Sequence, residues 1–169
     1  QAALGGNTTA SYNTAVGAGA LQSNTTHEGN TAVGRNALNV NDASNNTAVG
    51  KNAMDANTTG SACVAVGVDA LGANTTGSNN VAIGVGALDA NTTASENTAV
   101  GKNALNLNTT GASNTAIGSG ALDACTDGDN NTAVGKSALT DLTGANGNCA
   151  VGENCLADVT TGSNNNAIG

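Results

Sequence analysis

Phenylalanine, tryptophan and proline are absent from these 169 residues, and tyrosine and methionine occur once each. Without bulky side chains the chain cannot fill the interior of an ordinary globular domain. Basic residues number only four against twelve acids, a net charge of −8. Four cations cannot neutralise a phosphate backbone, so no nucleic-acid partner is expected. No apolar run reaches membrane-spanning length, so no membrane partner is expected either. A signal peptide is not visible, and because the chain opens inside a repeat it reads as a mature or truncated product. Only 9% of residues are charged, which argues against disorder driven by charge.

What is present is repetition. The motif N-T-A-V-G starts at Asn13, Asn30, Asn46, Cys63, Asn80, Asn97, Asn114, Asn131, Asn148 and Asn165, always 17 residues apart except for the 16 between Asn30 and Asn46. The consensus is N-T-A-[VI]-G-x-x-A-L-x-x-N-T-T-G-x-N, numbered below as positions 1 to 17. A fixed period of this length without heptads indicates stacked units, each too small to bury its own apolar face. The fold expected is all-β: a single β-solenoid of about ten 17-residue coils with short parallel strands, spanning residues 1–169 as one domain. No capping unit is evident at either end.

The first strand is N-T-A-V-G, ended by Gly. A second is expected through A-L-x-x-N-T, with Gly, Ser and Asn turns between them. Position 9 is Leu in nine copies and Met54 in the tenth, a core row. Position 8 is Ala except for Cys155, so space there is tight. Position 11, mostly Ala with Val40 and Leu107, is read as an inward partner of position 9. All four basic residues, Arg35, Lys51, Lys102 and Lys136, fall at position 6, which is therefore solvated. Asn at positions 1 and 12 is expected to satisfy turn backbone through hydrogen-bonded ladders.

Three columns are rich in Thr. Position 13 holds Thr8, Thr25, Thr58, Thr75, Thr92, Thr109, Thr126, Thr143 and Thr160, with Asp42 as the exception. Position 14 is Thr in seven copies, and position 2 holds Thr14, Thr31, Thr47, Thr98, Thr115 and Thr132. Stacking turns each column into a straight file with steps of about 4.7–4.9 Å, close to an oxygen repeat on ice. β-Branching holds the methyl and hydroxyl of each Thr in one rotamer, so such a file can order water. An ice-crystal surface is the partner this suggests. Position 4, always Val or Ile, reads first as core, which makes the N-T-T row the better ice-facing candidate. If position 4 instead points outward, a flat T-x-V surface takes that role, with Val64 and Val81 in place of Thr.

The remaining chemistry is sparse. Asn7, Asn24, Asn57, Asn74, Asn91 and Asn108 each begin an N-x-T sequon, which reads more simply as the turn of the repeat than as a glycan site. Cys63, Cys125, Cys149 and Cys155 lack metal-ligand spacing. Cys149 and Cys155 share a coil and could bridge across it, but the four read better as replacements of Asn, Thr or Ala. His27, the only histidine, has no nucleophile near it in sequence, so no enzyme and no cofactor is expected. Asp55, Asp89 and Asp123 share position 10 as an acidic row, and lack the Gly-Gly-x-Gly-x-Asp pattern of calcium-binding β-rolls.

The N-T-A-V-G-x-x-A-L unit resembles the left-handed β-roll head of trimeric autotransporter adhesins, whose S-V-A-I-G-x-x-A core is closest to Asn80-Val81-Ala82-Ile83-Gly84. Related arrays occur in phage tail-fibre-like proteins. It also resembles the repetitive β-solenoid antifreeze proteins secreted by polar microalgae and insects. The resemblance covers nearly the whole chain and implies a secreted, extracellular protein. It implies either ice binding or an adhesive or structural fibre segment, the latter a homo-oligomer or filament. The extra N-T-T-G segment departs from the shorter adhesin repeat and bears against trimerisation.

Overall fold

The computed structural model, which describes residues 1–169, is a parallel β-solenoid without helices. Its ten three-residue strands are β1 (Thr14–Val16), β2 (Thr31–Val33), β3 (Thr47–Val49), β4 (Val64–Val66), β5 (Val81–Ile83), β6 (Thr98–Val100), β7 (Thr115–Ile117), β8 (Thr132–Val134), β9 (Cys149–Val151) and β10 (Asn166–Ile168). They form one sheet in sequence order. Every pairing is parallel and joins like positions of the repeat, as in Thr98↔Thr115, Ala99↔Ala116 and Val100↔Ile117. The 16-residue coil does not disturb this register, since Thr31 still pairs with Thr47.

The apolar core is thin. It is built from the Ala files at positions 3 and 8 and the Leu file at position 9, nearly all without solvent exposure. On the strands it is position 3, a single methyl in every coil, that supplies the inward side chain. That reverses the expectation for position 4: Ala at position 3 points in, and Val or Ile at position 4 points out. Val49 is 36% exposed, Ile83 40% and Ile117 42%.

The expected second strand does not form. Leu21, Leu38, Met54, Leu71, Leu88, Leu105, Leu122, Leu139 and their end-coil equivalents Leu4 and Leu156 all adopt positive φ near 50°. Position 7, two residues earlier, does the same, as in Asn52, Asp69 and Asn103. These left-handed residues alternate with ordinary ones and bend the chain tightly, so that Ala at position 8 and Leu at position 9 both point inward. The backbone is still satisfied from coil to coil. Leu105 N–H donates to Ala121 O at 3.0 Å, and Asn103 N–H donates to Val85 O in the opposite direction at 3.0 Å. Strand alternation therefore does not carry on to position 11. Ala73 and Ala90 there are half-buried, while Val40 and Leu107 are exposed, so the inward partner of Leu is position 12.

The polar interior consists entirely of asparagine amides. At position 12, from Asn41 to Asn108, Nδ2 donates along the file and into its own turn: Asn74 Nδ2 donates to Asn57 Oδ1 at 2.8 Å and to Gly77 O at 3.0 Å. At position 1, Asn97 Nδ2 donates to Gly111 O at 2.8 Å, and its Oδ1 accepts the Asn114 N–H at 2.9 Å. In the coils with Asn at both positions the two files converge on one carbonyl, as where Asn80 and Asn91 both donate to Ala94 O, while Cys125, Leu142 and Val159 take position 12 in the last three full coils. The expected ladders are thus present and close the turns from inside. Buried amides without partners would each cost about 1–3 kcal/mol.

The cysteines replace file residues, as expected: Cys63 stands for Asn at position 1, Cys125 for Asn at position 12, Cys149 for Thr at position 2 and Cys155 for Ala at position 8. All four are free thiols. No bridge joins Cys149 to Cys155, because the first lies on the outward side of β9 and the second in the core. Cys63 breaks a ladder. Its sulfur is only a weak acceptor for the Asn80 N–H, where the equivalent N–H of Asn97 meets the amide oxygen of Asn80. Cys63→Asn restores an amide acceptor for Asn80 N–H and exchanges the weak Cys63 Sγ donation to Gly77 O at 3.4 Å for an amide one. It is expected to stabilise the solenoid by about 1–2 kcal/mol, seen as a higher denaturation midpoint with an unchanged slope.

Candidate functional site

The outward face of the sheet is the most regular surface of the molecule. Two files run along it: position 2 (Thr14, Thr31, Thr47, Val64, Val81, Thr98, Thr115, Thr132, Cys149, Asn166) and position 4 (Val or Ile throughout). Steps along each file are about 4.8 Å, and the files stand roughly 7 Å apart, two residues along a strand. No charged residue lies on this face. Of its twenty side chains, all but Cys149 and Asn166 are β-branched, which leaves each little rotamer freedom.

The two groups of Thr files differ in what their hydroxyls do. At position 13 the hydroxyl is spent on the fold. Thr58 Oγ1 donates to Thr75 O at 2.7 Å, Thr75 Oγ1 to Thr92 O at 2.9 Å and Thr109 Oγ1 to Thr126 O at 3.0 Å. The same carbonyls also accept the backbone N–H groups of positions 13 and 14 of the preceding coil, as Thr75 O does from Thr58 and Thr59. Thr92 follows this pattern with Thr109 O at 3.3 Å. Thr25, which precedes the 16-residue coil, and Thr160, in the last full coil, make no such bond. The position 2 hydroxyls of Thr14, Thr31, Thr47, Thr98, Thr115 and Thr132 enter no hydrogen bond within the chain and remain open to water. The sheet places them beside the exposed methyls of position 4. Sequence reasoning could not separate these rows, since both are Thr at a 17-residue spacing.

The Asn of the N-x-T sequons has a structural task. Asn24, Asn57, Asn74, Asn91 and Asn108 are fully buried ladder residues, and only Asn7 is exposed. Asn108 marks the end of its ladder: the next coil offers Cys125 instead of an amide, and Asn108 Oδ1 is left without a donor. His27 Nδ1 lies 2.9 Å from Asp42 Oδ1, where the short coil brings the two turns together. Burial raises the thiols of Cys63 and Cys125, which disfavours the reactive thiolate. There is no cavity and no cluster of three metal-ligating side chains.

The position 10 row is less exposed than its composition suggests. Asp55, Asp89 and Asp123 are half-buried against the coil, and burial raises each carboxyl above the usual carboxylate range. Repulsion from Asp69 adds to the rise at Asp55 and Asp89.

No known protein family, curated protein or solved structure matches the chain, so function is argued from the surface itself.

A native carboxyl raised above its unfolded value binds its proton more tightly when folded. The contribution of these three is therefore fully present below the ordinary carboxylate value and lost as pH rises through the raised one. Replacing Asp55, Asp89 and Asp123 with Asn should stabilise the protein at neutral pH and flatten the acid limb of its stability curve. Urea denaturation across that range measures both.

Proposed function

We propose that this protein binds ice through the T-x-V face of its sheet. The observation that carries the reading is that positions 2 and 4 both point outward from one regular parallel sheet, with the position 2 hydroxyls uncommitted. Ordered water needs a template that does not move. Here the backbone is held by coil-to-coil hydrogen bonds, and β-branched side chains are held by their own sterics. Exposed methyls favour cage-like water above them, and each neighbouring hydroxyl can anchor that water by donating and accepting. Long charged side chains would disrupt such a layer, and they are confined to the borders of the face. Val64 and Val81 keep the methyl and shape of Thr at the middle of the file.

The position 13 row supports the reading less well, because its hydroxyl hydrogens are already given to carbonyls. The fibre alternative draws on the same exposed Val and Ile file. It needs that file covered by other chains, whereas ice binding needs it bare. A secreted location fits either reading.

Substitution separates the rows. Thr98→Tyr or Thr115→Tyr places a ring in the middle of the sheet face and should remove most of the thermal hysteresis while leaving the circular dichroism melt unchanged. Thr92→Tyr, on the position 13 row, should leave most hysteresis intact. Absence of hysteresis from the native chain, or full hysteresis in both sheet-face variants, sinks the proposal.

A further inference from the structure

The borders of the sheet face carry a charge pattern that the ice-binding reading does not use. β2 is preceded by Glu28 and followed by Arg35, β6 by Glu96 and Lys102, and β8 by Asp129 and Lys136. β1, β5 and β7 have no charge at either end, while β3 has Lys51 alone, β4 has Asp69 alone and β9 has Glu153 alone. An acid thus stands before a strand only where a base follows it. Within one copy none of these acids pairs with the base at the other end of its strand. Arg35, Lys102, Glu28 and Glu96 are exposed and make no ion pair, while Lys136 meets Glu153 of the next coil at 3.1 Å.

We propose that the sheet face pairs two copies of this chain face to face, about a two-fold axis parallel to the solenoid axis and above the Ala file of position 3. That operation keeps each coil level with its equivalent and reverses strand direction. It sets the acidic end of β2 and β6 over the basic end of the same strand in the second copy, forming each cross-pair twice, whereas at β8 Asp129 Oδ1 already accepts the Ala112 N–H at 2.7 Å and Lys136 already meets Glu153. A two-fold axis along the strands would instead lay basic ends over basic ends, so the charges select one orientation. The middle of the face completes the pattern. In β4 and β5 and the residues just beyond, positions 2, 4 and 6 are Val64, Val66, Val68 and Val81, Ile83, Val85. Val68, Ile83 and Val85 are 39%, 40% and 51% exposed. An aliphatic centre within a charged rim is the anatomy of a protein interface.

Ten strands at about 4.8 Å, read from position 2 to position 6, make a strip of about 600 Å² per copy, or about 1,200 Å² in all. This is the lower edge of stable interfaces, and the Thr file retains water between the copies. The pairing is therefore reversible. That a second copy and ice compete for the face rests on the ice-binding reading; the pairing itself does not.

Sedimentation equilibrium of the whole chain tests the pairing without ice. The native protein should show a monomer–dimer equilibrium that weakens with salt. Glu96→Lys and Lys102→Glu, both at exposed sites, should each weaken it about tenfold by turning two symmetry-related rim pairs repulsive. The double exchange Glu96→Lys with Lys102→Glu should restore it to about the native strength. Ile83→Lys, one residue from the axis, should abolish it from the centre of the face. A monomer at every concentration, a trimer or filament, or a dimer indifferent to the single reversals overturns the proposal. Thermal hysteresis of the monomeric Lys102→Glu chain is read separately. A dimer without hysteresis removes only the ice reading, and a hysteresis-active protein that never dimerises removes only the pairing.

Discussion

Two files of buried asparagine bear the rest of this structure. A 17-residue coil has too little apolar surface to hold itself closed, and its tight turns leave backbone groups facing inward where no water reaches. The amides at positions 1 and 12 meet these groups from both sides and pass a hydrogen bond on to the next coil. Each coil is thereby closed and tied to its neighbours by the same side chains. This holds the strands in identical register, since a slip by one residue would leave a buried amide and a buried carbonyl unpaired in each coil that carries the ladder. Straight files on the outside are a consequence of straight amide files on the inside.

The thinness of the core then decides what the surface displays. Ala occupies the inward place of the strand, and the bulkier Val and Ile face outward. A protein with a thicker core would have hidden them. The exposed aliphatic file is therefore not a random leakage of apolar surface but the geometrical complement of an Ala-lined interior. Its neighbour on the same strand, Thr at position 2, stands on the outer face of the sheet and keeps a hydroxyl uncommitted within the chain. Thr at position 13 has no such freedom, for it lies over a bend whose carbonyls accept it. Identical residues at identical spacing thus serve the backbone in one file and the solvent in the other. The cysteines test the tolerance of the scheme: where one enters an amide file, at Cys63 or Cys125, the ladder loses an acceptor or leaves one orphaned.

Much of this was legible in the residues. The period, the coil count, the parallel stacking, the Leu row at position 9, the solvated row at position 6 and the Asn ladders all follow from column composition, because stacking makes every column a single environment. One further signal was there to be used. Position 9 is never Val or Ile, and position 7 is Gly, Asn, Asp or Ser, the residues that tolerate left-handed backbone and the absence of those that do not. Read so, the A-L segment is a tight bend and not a second strand.

Column composition by itself determined that equivalent side chains stand in files, since repetition leaves no other way to bury so few apolar atoms. Only the tertiary structure decided which side of the strand faces water. The alternation T-A-V fits either phase, and hydrophobicity favours the wrong one, with Val inward. The choice depends on the distance between the sheet and the Leu wall across the coil, and that distance is set by left-handed bends and amide contacts linking residues far apart within each turn, which no single column records.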